Sequence, residues 1–175
     1  MKLEDLIGFV FDVHSQLPIT PEKAFRKFDG KTPFATHPVW CGMMILTENS
    51  LPEDKRYDGA QALLLHDIIE DTKADLPDDL SYKVKQLVLD MTFESFNDEC
   101  ALIWNRSKFV RMLKLYEKVH NLLNTDWMAK DKLKFYIGYV LRLTEDVEEN
   151  WGLLNIVIFS KALCAVKIQH IKGMP

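Results

Sequence analysis

The segment Ala60-Gln61-Ala62-Leu63-Leu64-Leu65 runs without interruption into His66-Asp67-Ile68-Ile69-Glu70-Asp71-Thr72. Its first half is made of good helix formers, with no Pro or Gly. Read as one helix over 59–71, residues 60, 63, 64, 67, 68 and 71 share a stripe, and Asp67 and Asp71 stand among Ala60, Leu63, Leu64 and Ile68. A carboxylate on such a stripe requires a partner, because an unpaired buried charge costs far more than a few kcal/mol. A metal ion, a cation or several donors would serve, and His37-Pro38 upstream offers a second imidazole to His66.

The rest of the chain is helical in period. Residues 3–16 carry apolar side chains at spacings of three and four and stop before Pro18; Pro21 is placed for a first helical position after Thr20, opening a short second helix. The Asp-Gly and Thr-Pro steps of Phe28-Asp29-Gly30-Lys31-Thr32-Pro33 mark a loop that leads to His37. Helices are predicted over 39–47, 59–71, 81–92, 107–124 and 131–145, with 49–58 as a polar connection containing Pro52. In the 107–124 helix, Met112, Leu115, Val119, Leu122 and Leu123 form a core face. Leu113, Glu117, His120, Asn121 and Asn124 form a neighbouring, mostly polar face that taken alone reads as solvated. No run alternates as a strand would, and no repeat appears. The expected fold class is all-α.

Composition bounds the function. A chain of 175 residues, 47% apolar and 27% charged, buries a core as one domain over 1–175. Net charge −4 argues against a general nucleic-acid binder. Cys41, Cys100 and Cys164 are odd in number and far apart, which disfavours disulfides and zinc knuckles and fits a reducing, cytoplasmic setting. The N-terminus lacks signal-peptide order. The apolar stretch 151–166 is too short for a bilayer and is broken by Asn155 and Lys161, so no membrane partner is expected and a buried or dimer-forming helix is. His14 and His170 belong to no constellation and read as structural or surface residues; His120 reads as packing, Cys41 as a small buried hydrophobe, and the four tryptophans as core or interface.

The order His37, His66-Asp67 and a later acidic residue, Glu117, resembles the HD-domain metal phosphohydrolases. Arg26-Lys27, Gly30, Thr32-Pro33-Phe34, His37-Pro38 and Leu64-Leu65-His66-Asp67-Ile68-Ile69-Glu70-Asp71-Thr72 are similar to the hydrolase domain of RelA/SpoT proteins and their small relatives. Leu87-Val88 with Met91-Thr92 and Lys114-Leu115-Tyr116-Glu117-Lys118-Val119-His120-Asn121 resemble two further steps of that family, so the likeness spans about 14–136 and leaves a helical extension over about 140–170. Glu117 stands where the family has a metal-binding Asp, one methylene longer but still a hard oxygen donor.

The resemblance implies a single HD-type helical bundle and metal-assisted phosphoester hydrolysis. His37, His66, Asp67 and Glu117 would hold a divalent ion, with Mn²⁺ suited to mixed imidazole and carboxylate ligation. Glu70 and Asp71 would orient or deprotonate the attacking water. Arg26, Lys27 and Lys31 would neutralise a polyphosphate, and Asn121, Lys132 and Tyr136 would contact the nucleotide. The implied reaction is removal of the 3′-pyrophosphate of guanosine tetraphosphate (ppGpp). A nucleotidase acting on another phosphate ester and a non-catalytic nucleotide- or protein-binding domain are the alternatives, and a homodimer is left open.

Overall fold

The computed structural model describes residues 1–125 and 127–173. Among them are nine α-helices, two short 3₁₀ turns and no strand, so the all-α expectation holds. The chain divides into two compact units, 1–93 and 94–175.

In the first unit α1 (Leu3–Gln16) buries Leu6, Val10, Val13 and His14, and Pro18 follows just beyond its end. A 3₁₀ turn, Pro21–Ala24, replaces the expected short helix. The helix α2 (Thr36–Leu46) begins three residues earlier than the pattern suggested, which puts His37 in its first turn. Pro38 is tolerated there because the first turn needs no internal N–H partner. Next comes α3 (Glu53–Leu65), starting directly after Pro52, so much of the expected polar connection is helix. Glu53 and Asp54 sit at its positive end, where acidic side chains are favoured. The helices α2 and α3 pack closely at Gly42, where a Cβ would stand 2.9 Å from Leu64 Cγ and 3.1 Å from the Ala60 carbonyl oxygen.

The expected single helix over 59–71 is broken. α3 ends at Leu65, and α4 (Ile68–Asp71) is one short turn. Asp67 has φ −92° and ψ −4°, in the sparsely populated bridge region that often hosts active-site residues. His66 keeps helical angles, φ −60° and ψ −30°, so the departure falls at Asp67, whose carbonyl accepts the Asp71 N–H at 2.9 Å. The last helix of this unit, α5 (Tyr82–Met91), is capped by Ser81, whose hydroxyl accepts from the Val84 N–H at 3.2 Å, and buries Val84, Leu87, Val88 and Met91.

The second unit opens with α6 (Phe96–Leu102), capped by Ser95 and too short to show a period in the sequence. The 3₁₀ turn Ile103–Asn105 leads to α7 (Lys108–Leu123), with Ser107 as cap. α8 (Lys130–Trp151) runs past its expected end at 145 to Gly152, whose φ of +81° only glycine adopts without strain. The unit closes with α9 (Asn155–Gly173). These three helices pack on one another. A bidentate Arg111–Asp146 pair at 2.8 and 3.0 Å joins α7 to α8, and a buried Thr144–Ser160 hydroxyl contact at 2.7 Å joins α8 to α9. α7 departs from the two-face reading, because Leu113, Lys114, Glu117, Lys118 and His120 are buried along with the core stripe. On its polar face Glu117 and His120 are buried, and Asn121 and Asn124 are half-buried. No helix among the described residues is long and apolar enough to cross a membrane.

Candidate metal centre

Three side chains of the first unit converge. His37 comes from the first turn of α2, and His66 and Asp67 come from the break between α3 and α4. His37 Nε2 lies 3.3 Å from His66 Nε2 and 3.5 Å from Asp67 Oδ2, and His66 Nε2 lies 3.1 Å from the same oxygen. All three side chains are buried.

Donor spacing tests whether an ion fits. With metal–donor distances of about 2.1 Å, neighbouring donors stand about 3.0 Å apart on an octahedron and about 3.4 Å apart on a tetrahedron. Two edges of the observed triangle, 3.1 and 3.3 Å, fall in that range, and the third, 3.5 Å, lies just beyond it. These three form the group among the described residues whose donor atoms would share one ion.

The imidazoles present the correct edges. His66 Nδ1 lies 2.7 Å from the Leu63 carbonyl oxygen, which can only accept, so Nδ1 carries the proton and Nε2 points its lone pair into the triangle. This is the carbonyl support that metal-ligating histidines commonly have. His37 Nδ1 instead faces Cys41 Sγ at 3.9 Å, one turn along α2. Cys41 is thus buried, as its sequence reading had it, but lies against a donor ring.

The acidic pair after the triangle is held within the same unit. Glu70 Oε1 accepts the Phe93 backbone N–H at 3.1 Å. Asp71 is buried and ion-paired to Lys23 of the 3₁₀ turn, a residue the sequence reading passed over because no period or motif marks it. The segment carrying Lys23 is strapped to the motif at its start, by Ile19 N–H to the Asp71 carbonyl at 3.0 Å and Lys73 N–H to the Leu17 carbonyl at 2.8 Å. Its far end is tied to the approach to His37, through Arg26 N–H to the Thr32 carbonyl at 2.7 Å and Phe34 N–H to the Ala24 carbonyl at 2.8 Å.

The basic residues divide. Arg26 is buried, its guanidinium 5.4 Å from the centre of the Phe34 ring, whereas Lys27 and Lys31 are exposed. Asp29 shapes this loop by accepting the Lys31 and Thr32 N–H groups at 3.0 Å each, bonds that lower its carboxyl below the usual range, and Gly30 takes φ +63°. His14, read as structural or surface, is a buried neighbour of this group. Its ring lies 4.9 Å from that of Phe34 and lines a cavity of about 200 Å³ with Phe11 and Phe34, and neither ring nitrogen has a hydrogen-bond partner among the described residues. Burial pushes His14 down to about 4; Asp71 opposes that shift while His66 and Lys23 add to it. Its place on the α1 core stripe was the available signal.

The remaining expected residues lie in the second unit. Both Glu117 oxygens are engaged: Oε2 accepts from Lys114 Nζ at 2.6 Å and Oε1 from Lys118 Nζ at 2.5 Å. Both lysines also reach Glu99 Oε2, at 3.1 and 2.7 Å, and Tyr139 donates to Glu99 Oε1 at 2.8 Å. Burial works against the Lys118 charge, but Glu117 and Glu99 outweigh it and hold the ammonium well above its ordinary value. Tyr136 is buried, bonded to Asn121 and to the Lys118 carbonyl at 3.3 Å, and its hydroxyl is pushed up, chiefly by burial. Lys132 is exposed and stacks on Trp127 at 5.2 Å. Glu99 was not legible in advance, since α6 itself was not.

No protein-family model and no curated protein matches the chain. A solved structure does, described as "A metazoan ortholog of SpoT hydrolyzes ppGpp and plays a role in starvation responses", with TM-score 0.72 and 18% identity over 94% of each chain. The two share a fold. The all-helical class expected from the sequence holds for the described residues.

Proposed function

We propose that this protein is a divalent-metal-dependent phosphohydrolase acting on a nucleotide, with ppGpp as its substrate. The donor triangle of His37, His66 and Asp67 carries the reading, since its spacing suits one ion and the His66 tautomer leaves the correct nitrogen exposed to it. The fold shared with a protein described as hydrolysing ppGpp supports the substrate. A divalent ion, proposed as Mn²⁺, would polarise a phosphoryl oxygen and acidify a water at these donors.

The chain's own groups complete the chemistry. Glu70 and Asp71 are the proposed acceptors of the water proton, with Glu70 oriented by the Phe93 N–H and Asp71 by Lys23. In this reading the water oxygen bonds to the phosphorus nearest the ribose as its proton passes to the carboxylate pair, the bond from that phosphorus to the 3′ oxygen breaks, and that proton is returned to the 3′ oxygen, giving a 3′ hydroxyl and free pyrophosphate. Lys27 and Lys31 meet the polyphosphate in this reading; Arg26 supports their loop from its stack on Phe34 and offers guanidinium donors. Asn121, Lys132 and Tyr136 are the proposed contacts to the rest of the nucleotide. The expected partner is a free nucleotide rather than a nucleic-acid polymer or a membrane.

Metal analysis of the purified protein and a panel of ppGpp, NADPH and nucleoside mono- and triphosphates, assayed with Mn²⁺, test the reading. Bound divalent metal with turnover favouring ppGpp is expected. Preference for a plain monophosphate moves the assignment to a nucleotidase; absent metal with no turnover of any member overturns the enzymatic reading.

A further inference from the structure

We infer that Lys23 does more than hold Asp71: its ammonium is a contact for the pyrophosphate cut from the nucleotide. The inference rests on the phosphohydrolase reading above and adds a substrate contact to it.

The backbone of Lys23 is held in place. It belongs to the 3₁₀ turn Pro21–Ala24, and its N–H donates to the Thr20 carbonyl at 3.0 Å. The segment is pinned on both sides, by an antiparallel bridge of Pro18 with Thr72 before it and one of Phe25 with Pro33 after it. The first bridge joins it to the end of the 66–72 motif, and the second to the approach to His37. From that position the ammonium reaches Asp71 Oδ1, and Asp71, His66 and Lys23 all lie close enough to the buried His14 ring for their charges to act on it. The adjacent Glu22 carboxylate is turned onto Thr20 and its own N–H. Asp71 is the carboxylate that Lys23 meets among the described residues.

The pair is unequal in burial: the Asp71 side chain is 8% exposed and that of Lys23 49%. An ammonium carries three donors and no acceptor. One goes to Asp71, and among the described residues no protein group takes the other two, on a side chain that water still reaches. Such an ammonium exchanges water for a phosphate oxygen without first losing all its solvent, and the bond it gains is charge-assisted. Asp71 already restrains it, so less side-chain freedom is lost when the anion arrives. In the hydrolytic reading Asp71 stands where the attacking water gives up its proton, so a cation bonded to Asp71 stands beside the phosphorus under attack. Lys27 and Lys31, exposed on the loop before His37, are left to the other phosphates.

Calorimetric binding of inorganic pyrophosphate, with and without Mn²⁺, and steady-state hydrolysis of ppGpp test this. The variants are Lys23→Met, Lys23→Arg, Asp71→Asn, the paired Lys23→Met/Asp71→Asn, and Lys73→Met, which removes an exposed lysine of the same strap. In Lys23→Met the dissociation constant of pyrophosphate and the KM for ppGpp should both rise about tenfold, in Lys23→Arg both should stay within about threefold of wild type, and in Lys73→Met the dissociation constant should not move. The decisive comparison is the paired variant against Asp71→Asn. If Lys23 serves only to balance Asp71, deleting it once the Asp71 charge is gone changes pyrophosphate binding by less than about twofold; as a pyrophosphate contact, its loss weakens binding about tenfold there too. The paired variant removes one charge of each sign and so leaves no buried charge unpaired, which guards against misfolding. Equal pyrophosphate binding in those two variants, or an equal loss in Lys73→Met, overturns the inference, as does a wild type that binds no pyrophosphate. A wild type that binds pyrophosphate through Lys23 but turns over no ppGpp upholds the contact and sinks the hydrolytic reading separately.

Discussion

Arg26 and Lys27 are neighbours in sequence with different surroundings, and their variants should separate accordingly. Lys27 is exposed, so Lys27→Ala is expected to leave the melting temperature within about 1 °C while raising KM for ppGpp more than for a nucleoside monophosphate, because a lost surface charge costs little stability but weakens polyphosphate binding. Arg26 packs on Phe34, whose ring in turn lies 5.9 Å from that of His37, so Arg26→Ala should lower the melting temperature as well. Steady-state kinetics and calorimetry on the two variants check the split. His14 supplies a second prediction. Burial holds it at about 4 in the folded chain against an ordinary value of 6.5, so on acidification the unfolded chain takes up the proton first. Its contribution is therefore complete above about pH 6.5 and is lost as pH falls toward 4. Urea midpoints at pH 7 and pH 5 should differ less in His14→Phe than in wild type, and an unchanged difference would remove His14 from the acid sensitivity.

Among the elements, the contact of α2 with α3 is the one that most directly fixes the triangle, since α2 carries His37 and α3 ends next to His66. Gly42 lets the two helices approach. Gly42→Ala would place a methyl 2.9 Å from Leu64 Cγ and 3.1 Å from a backbone oxygen that cannot swing aside. It should cost about 1–3 kcal/mol, the usual penalty of overpacking. Urea denaturation measures it, and Gly8→Ala, where a Cβ meets nothing within 4 Å, is the control. At this scale the caps Ser81 and Ser107 and the stripes of α1, α5 and α7 were legible, because each depends on residues within one or two turns. The α3–α4 break was not, since His66-Asp67 carries no Pro or Gly to mark it.

For the molecule as a whole, an ion that binds the folded chain and not the unfolded one must stabilise it. Mn²⁺ at a hundred times its dissociation constant should add about 2.7 kcal/mol, a rise in melting temperature of about 5–10 °C for a chain of this size. His66→Ala and Asp67→Ala should abolish the rise along with bound metal and hydrolysis, and a rise that persists in both variants would place the ion elsewhere. The sequence alone determined the helical class and put forward His37, His66, Asp67 and Glu117 as candidate metal ligands, because helix period, capping and the chemistry of side chains are local properties. It could not determine what covers a polar face. Tertiary structure decided that the Glu117 side of α7 is buried against Lys114, Lys118 and Glu99, that Arg26 lies under its loop while Lys27 does not, and that His14 is enclosed. A polar residue on a helix face looks the same in sequence whether water or an opposite charge awaits it, and the partner, as with Glu99 and Lys114 or Lys23 and Asp71, comes from far along the chain.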